Sequence, residues 1–164
     1  MLTIADNASP AKETAEAFQE QVKKIGLKLQ FREVPHATML SKFCNVPKSN
    51  VAICPNLGWG ADFFAAQSFI DPLFNGANIV PSGNVNTGQV NDPKLNAEID
   101  SAKQITDPAK SAAAWAALDK KVTDQAYFIP WLWDNNVGLQ STNVNGVSSK
   151  FNSGAWDYTF SSLK

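Results

Sequence analysis

The sequence predicts an α/β fold in which a largely parallel central sheet is flanked by helices. Three observations carry this prediction: a strand–helix–strand pattern in the first 34 residues, a third apolar run ending in turn residues, and two capped amphipathic helices between residues 92 and 124. A strand–helix–strand unit joins parallel strands by a right-handed crossover. With 164 residues, the chain has the size of one domain.

The amino-terminal pattern begins with LTIAD, an apolar run that predicts a short buried strand at residues 2–6. In the helix that follows, Ser9 is placed to cap, Pro10 fits the first turn and Gly26 ends it. The stretch LKLQFREV alternates apolar and polar residues, which predicts a half-buried strand over residues 27–34. The predicted apolar face of the helix consists of Ala11, Ala15, Phe18, Val22 and Ile25.

A third strand is predicted at residues 51–54, where the run VAIC precedes a Pro, Asn and Gly cluster. The segment that follows, GWGADFF at residues 58–64, would then lie at the carboxyl end of a strand, where open α/β sheets bind ligands. Asp62 stands there between glycines and aromatic residues. A carboxylate against apolar surface needs a partner, so either Asp62 caps a helix or it awaits a cationic ligand.

The second half of the chain is predicted to be mainly helical. AAQSFIDPLFNG predicts a short helix, and Asp92 and Asp107, each followed by proline, begin two longer ones. The apolar runs around DNN, residues 126–141, predict a hairpin or two strands meeting at a bend. Trp131 and Trp133 in these runs fit core packing or a pocket wall. The predicted apolar positions of the longer helices are Leu95, Ile99 and Ala102 in the first, and Ala112, Trp115, Leu118 and Val122 in the second.

Composition argues against several classes of function. The net charge of −1 without a basic run disfavours nucleic acid or an anionic membrane surface as partner. His36 is the only histidine, and no GxSxG or phosphate-binding glycine motif occurs, which disfavours ordinary hydrolases and nucleotide binding. No metal site and no cofactor are therefore expected. Nothing in the sequence brings together two of the acids that could form a carboxylate pair, Asp6, Asp62, Asp71 and Asp134.

Two cysteines, Cys44 and Cys54, lie ten residues apart in a stretch rich in Pro, Ser and Asn. Turn formers between them allow a small closed loop, which would suit an oxidising compartment. Two separate buried thiols are the alternative. We expect the disulfide.

Three segments of the sequence carry a family likeness: DNASPAKETAEAFQEQVKKIGLKLQFREV, GWGADFFAAQSFIDPLF, and NDPKLNAEIDSAKQITDPAKSAAAWAALDKKVTDQAYFIPW. Together they resemble the carboxyl-terminal lobe of family 5 extracellular solute-binding proteins, the dipeptide and oligopeptide receptors of ABC importers. The most specific part is WGAD with a following aromatic residue, succeeded by SF and LF. The likeness covers most of the chain.

The resemblance implies a periplasmic-binding-protein-like lobe over residues 1–140 and a tail, 141–164, that returns toward a missing amino-terminal lobe. It implies a protein outside the cytoplasmic membrane that captures a small solute, with a peptide expected, and hands it to an ABC permease without catalysis. The alternative is a hydrolase lobe whose catalytic partners lie in the absent segment. The chain is accordingly expected to be part of a longer protein.

The resemblance also assigns the loop residues. Asp62 would pair with the α-ammonium of a bound peptide, with Trp59, Gly60 and Phe63 as the other ligand-binding residues. Family members commonly continue the motif with PDP after an aromatic residue, whereas this chain has Phe64 and two alanines. Because of this departure the ligand class stays open among peptides, sugars and metal chelates.

Overall fold

A computed structural model describes residues 1–130, 132, 139–147 and 157–164 of the chain. The predicted α/β class is confirmed. The strands are β1 (Leu2–Asp6), β2 (Gln30–Val34), β3 (Val144–Asn145) and β4 (Ser162–Leu163), and the α-helices are α1 (Ala11–Lys23), α2 (His36–Met39), α3 (Gln67–Phe74), α4 (Pro93–Ala102) and α5 (Pro108–Asp124).

The amino-terminal unit, residues 1–57, contains the predicted strand–helix–strand pattern. Strands β1 and β2 pair in parallel, and α1 connects them and packs on β1. The prediction that Ser9 caps α1 is wrong, because Pro10 occupies the N-cap position and no side chain caps this end. Ile25 is 74% exposed rather than part of the apolar face, since the helix ends at Lys23 and Ile25 lies in the following turn.

The third predicted strand, residues 51–54, is not a strand in the structure. Asn50 adopts a left-handed conformation (φ 48°) just before the run, and Pro55 just after it has no N–H to donate to a sheet. The run instead packs on the core of the amino-terminal unit through Val51 and Cys54. Within the described residues the parallel sheet therefore has two strands.

The helical unit, residues 67–128, contains α3, α4 and α5, which contact one another. Both predicted caps are confirmed: the Asp92 carboxylate accepts hydrogen bonds from the N–H groups of Lys94 and Leu95, and that of Asp107 accepts one from Lys110. These caps satisfy backbone donors that a helix leaves unpaired. The buried core of this unit consists of Ile70, Val90, Leu95, Ile99, Ala102, Trp115, Leu118 and Val122.

An irregular segment, residues 75–92, joins α3 to α4 and is held by buried asparagines. The Asn86 side chain donates to the carbonyl of Val90 (2.8 Å) and accepts from its N–H (2.9 Å). The Asn84 side chain donates to the carbonyl of Asn86 (2.6 Å), and the Asn84 N–H donates to the carbonyl of Asn45 (3.0 Å). This last bond connects the segment to the amino-terminal unit.

Beyond α5, β3 and β4 pair antiparallel over two residues each. The predicted strands around DNN lie partly at residues 131 and 133–138, which are outside the described residues and include Trp131, Trp133 and Asp134. The described residues beside them, 126–130, 132 and 139–140, form no strand. Among the helices that the structure describes, none has the length and apolarity needed to cross a bilayer.

Candidate functional site

The loop at residues 57–66 connects the two units and carries every predicted ligand-binding residue. At its start, Leu57 packs on the core of the amino-terminal unit, which is formed by Ile4, Val34, Met39 and Cys44. At its end, α3 places Ile70 in the core of the helical unit. The loop therefore runs from one core to the other.

Its first anchor is Asn56, immediately before the loop. The Asn56 amide donates to the carbonyl of Ala11 (2.6 Å), and its side-chain oxygen accepts from the hydroxyl of Thr14 (2.9 Å). Asn56 itself has a positive φ of 58°, a conformation that asparagine tolerates better than most residues. The chain thus enters the loop fixed against the first turn of α1.

Its second anchor joins Trp59 to α3. The indole N–H of Trp59 donates to the carbonyl of Ser68 at 2.8 Å. The hydroxyl of Ser68, which is buried, contacts the carbonyl oxygens of Phe63 (3.0 Å) and Ala65 (2.8 Å). A buried hydroxyl and a partly buried indole N–H need such partners, and here these hydrogen bonds tie both sides of the loop to the helix.

Between Trp59 and Ser68, the tip of the loop is open to solvent. Gly60, Asp62 and Phe63 are exposed, Phe63 by 52%. The Asp62 carboxylate has no hydrogen-bond or ion-pair partner within the part of the chain that the structure describes. It does not cap α3, which begins at Gln67 with Ala66 as N-cap residue and without a side-chain cap.

Two cavities flank the loop. One, of about 160 Å³, has Trp59 in its wall and lies where the two units meet. The other, of about 710 Å³, is a wider groove over α3 and α5, with Phe64 at its edge. Gly60, Asp62 and Phe63 line neither cavity. Of the four predicted ligand-binding residues, the structure therefore places one in a cavity wall and three at the exposed tip.

Several other reactive side chains in the described part of the chain have local partners. Cys44 and Cys54 are joined in a disulfide. The buried Asp6 carboxylate accepts from the Ala8 N–H (2.9 Å) and contacts the His36 imidazole (2.9 Å). Asp71 contacts Lys103 at 3.2 Å. In residues 1–130, 132, 139–147 and 157–164, no group of three His, Cys, Asp or Glu side chains is arranged to hold a metal ion.

Sequence reasoning missed the two anchors of the loop. The sequence marks Asn56 only as part of a turn-forming cluster, whereas its hydrogen bonds reach back across 42 and 45 residues to α1. Ser68 is the serine of the SF pair in the family resemblance. The resemblance marks this residue as part of the motif but does not predict its hydrogen bonds to the loop. The cavity wall opposite Trp59 comes from distant segments, so no local pattern predicts it.

No protein-family profile matches the chain. The chain is 25% identical over 141 residues to the oligopeptide-binding protein OppA of Mycobacterium tuberculosis and of Mycobacterium bovis. The match covers 85% of this chain and 22% of the relative. The chain thus spans about a fifth of the length of these curated relatives.

The chain is also similar to solved structures of peptide-binding proteins. The clavulanic acid biosynthesis oligopeptide binding protein 2 superimposes with a TM-score of 0.86 at 27% identity, covering 99% of this chain and 30% of that one. A dipeptide-binding protein of Pseudoalteromonas in complex with Met-Leu gives 0.73 at 21% identity, covering 100% and 32%. The periplasmic binding protein DppA of Helicobacter pylori in complex with the peptide STSA gives 0.67 at 17%, covering 79% and 24%. The last two similarities concern the fold alone.

These relatives confirm the resemblance to family 5 solute-binding proteins and the periplasmic-binding-protein-like fold. The chain is similar to proteins that are named for binding peptides.

Proposed function

We propose that the chain is the carboxyl-terminal lobe of an extracytoplasmic solute-binding protein that captures peptides for an ABC importer and returns them unchanged. One observation carries this proposal: Asp62 is an exposed carboxylate without a partner in the described chain, at the tip of a loop that is anchored on both sides. An acid held in this way can serve a ligand without first breaking a contact of its own.

The proposed role of Asp62 is to bind the α-ammonium of a peptide. A carboxylate and an ammonium at contact distance attract each other weakly in water and much more strongly once water is excluded. Closure of a second lobe over the loop would exclude that water. Removing one partner of such a buried charged pair costs about 2 to 5 kcal/mol of binding free energy.

The neighbouring loop residues have proposed roles that follow from their positions. Gly60, which carries no side chain, allows the ligand backbone to approach closely. Phe63, half exposed beside Asp62, covers the bound end of the peptide with apolar surface. Trp59 forms the wall of the adjacent cavity.

The proposed partners are an amino-terminal lobe, an ABC permease that receives the solute, and the peptide itself, with no nucleic acid. The relatives are three to five times longer than the matched region, which supports a further lobe in the whole protein. The Cys44–Cys54 disulfide favours a location outside the cytoplasm, where such bonds persist.

The test uses the full-length protein that contains this chain and compares its melting temperature with free tripeptides, the same peptides N-acetylated, and unrelated sugars. Free peptides should raise the melting temperature by linkage, and acetylation should abolish the rise. Asp62→Asn should weaken peptide binding by about 30-fold or more, since about 2 kcal/mol is the lower bound for such a pair.

The matched control is Asp124→Asn, which removes another exposed carboxylate, at the end of α5, that lines neither of the two cavities beside the loop. It should leave peptide binding unchanged. If sugars raise the melting temperature equally in the wild type and in Asp62→Asn, the assignment of Asp62 to the peptide ammonium is contradicted. Recovery of cleaved peptide after incubation would favour the hydrolase alternative, so the ligand is identified by mass spectrometry after release.

A further inference from the structure

The Cys44–Cys54 disulfide lies at the entrance of the loop at residues 57–66. Cys44 ends the helical turn Leu40–Cys44 and is part of the core of the amino-terminal unit. Cys54 lies shortly before Leu57, where the loop begins, and Asn56, the first anchor of the loop, stands between them. The bond therefore ties the backbone that enters the loop to this core by a covalent link.

The segment that the bond restrains, residues 45–56, is irregular. It contains one short helical turn, Pro47–Ser49, and no strand, and residues 45–54 are all partly or fully exposed. The Ser49 hydroxyl donates to the carbonyl of Phe43 (2.6 Å), and Val51 packs on the core of the amino-terminal unit. Because irregular and exposed segments are the least stable parts of a fold, the disulfide is the strongest single restraint on the approach to the loop.

The two cysteines differ in their access to a reductant. Cys44 is 6% exposed, whereas Cys54 is partly exposed. A dithiol, such as the reduced CxxC pair of a thiol–disulfide oxidoreductase, would therefore attack at Cys54. Its thiolate forms a mixed disulfide with Cys54 Sγ, and the Cys44 sulfur leaves as a thiolate that takes up a proton. The second thiol of the dithiol then attacks the mixed disulfide and releases Cys54 as a thiol, so that two electrons pass to the protein and the dithiol becomes a disulfide.

From this placement we infer that the Cys44–Cys54 bond is a redox-sensitive restraint on ligand binding: the oxidised protein binds its peptide more tightly than the reduced protein, because the bond holds the loop in place before the peptide arrives. This inference rests on the proposed function, since it takes the loop as the peptide-binding element. A loop that a disulfide already holds in its bound conformation loses less conformational freedom on binding. Reduction should therefore weaken peptide binding by about 10-fold.

The bond acts on the loop through Asn56. The Asn56 side chain is bound to α1 by the Thr14 hydroxyl (2.9 Å) and by the Ala11 carbonyl (2.6 Å). The disulfide and these two hydrogen bonds therefore restrain the same short stretch, residues 54–56. Loss of one hydrogen bond of Asn56 should matter little while the disulfide is intact, and should matter more once the disulfide is reduced, because restraints on one stretch are not independent.

The experiment measures the dissociation constants of trialanine and trileucine by calorimetry on the full-length protein, oxidised and in dithiothreitol. The wild type should bind both peptides about 10-fold more weakly when it is reduced. The double variant Cys44→Ser with Cys54→Ser should bind like the reduced wild type and should not respond to dithiothreitol, which assigns the effect to this bond. Asp107→Ala, which removes the cap of α5, is the control for lost stability and should leave the affinity unchanged.

A second variant, Thr14→Val, tests the action through Asn56. It removes the hydroxyl that donates to Asn56 and keeps the shape of the side chain. Its affinity should fall more on reduction than that of the wild type. The matched control is Thr123→Val, at an exposed position of α5, which should respond to dithiothreitol as the wild type does. An equal fall in Thr14→Val and in the wild type would overturn the action through Asn56.

The outcomes separate this inference from the proposed function. If the oxidised and the reduced wild type bind the peptides equally, or if Asp107→Ala weakens binding as much as reduction does, the redox-sensitive restraint is refuted and peptide binding stands. If melting curves show that the reduced protein is unfolded at the temperature of the measurement, the bond is a structural cross-link only and the inference is refuted as well. If neither form binds a free peptide, the proposed function is refuted and this inference with it.

Discussion

The helical unit and the amino-terminal unit are stabilised in different ways. In the helical unit, eight buried side chains from three helices and the connecting segment form one core, and two aspartates cap the longer helices. In the amino-terminal unit, four buried residues form the core, and a disulfide joins two segments around it. A smaller core contributes less hydrophobic stabilisation, so this unit depends more on its covalent cross-link.

The comparison also concerns how far each unit is complete in itself. Capped helices satisfy their backbone groups locally, and α3, α4 and α5 bury their apolar faces against one another. A parallel sheet of two strands has little stability of its own and relies on what packs against it. The helical unit therefore buries its apolar faces mainly within itself, whereas the amino-terminal unit depends on additional restraints.

The largest expected effect comes from reducing the Cys44–Cys54 bond. Because it closes a loop with a sequence separation of 10, its loss should lower the free energy of unfolding by about 2 to 3 kcal/mol. Hydrogen exchange should rise mainly in residues 40–57, with α4 and α5 protected as before. Mass spectrometry under non-reducing, denaturing conditions should give a mass two hydrogens below that of the reduced chain.

The control is a double variant, Cys44→Ser with Cys54→Ser, on which the reductant should have no further effect. Equal increases of exchange in the amino-terminal unit and in α4 and α5 would contradict the comparison, since the two units would then unfold together.

A smaller effect is expected at the helix caps, which the two units use differently. Asp107→Ala removes the bond to the Lys110 N–H (2.8 Å) and should cost about 1 kcal/mol of stability in urea denaturation. Ser9→Ala, at the start of α1, should change stability by less than about 0.5 kcal/mol, because Ser9 caps nothing. A cost at Ser9 equal to that at Asp107 would contradict the described start of α1.

The smallest effect concerns Lys103, just after α4, whose Nζ lies 2.7 Å from Asp100 and 3.2 Å from Asp71. The hydrogen bond between Lys103 and Asp100 is the main cause of both pKa shifts. It raises the pKa of Lys103 above 10.5 and lowers the pKa of Asp100 below 3.8. The lowered pKa of Asp100 means that this carboxylate stabilises the folded state above pH 3.8, and that this stabilisation is lost as the pH falls through the folded-state pKa. The raised pKa of Lys103 means that this ammonium group stabilises the folded state below pH 10.5, and that this stabilisation is lost as the pH rises through the folded-state pKa.

Lys103→Gln should therefore flatten the stability profile at both extremes of pH, and the difference from wild type should shrink in 1 M salt, because exposed charges are screened. Lys110→Gln, at an exposed lysine of α5, is the matched control. If the pH dependence of stability in Lys103→Gln equals that of the wild type at both acid and alkaline pH, the contacts of Lys103 with Asp100 and Asp71 contribute nothing to folding stability.

The sequence predicted the helical unit well and the amino-terminal unit partly, for a physical reason. Helix caps and apolar spacing are local properties of the sequence, so Asp92 and Asp107 directly predict where their helices begin. The run at residues 51–54 looks like a strand because it is apolar, yet its burial comes from packing beside a disulfide. Asn56 anchors the loop through α1, a contact that depends on the folded arrangement and has no local signature.

The same limit applies to the candidate site. The position of the loop residues Trp59 and Asp62 follows from a sequence motif, whereas Gly88 and Tyr127 reach the Trp59 cavity only through the path of the segment around them. The motif therefore predicts a ligand-binding loop, and the structure was needed to find the cavity beside it.

The two anchors of the loop have a kinetic consequence. Because Asn56 and Trp59 hold the backbone before the tip, and the Ser68 hydroxyl holds it at Phe63 and Ala65, little of the loop has to be ordered when a ligand arrives. The first encounter of a ligand with this loop, before any lobe closure, should then depend little on the side chains of the ligand. Differences in affinity should appear in how long each ligand stays, so residence time is the quantity by which this loop discriminates.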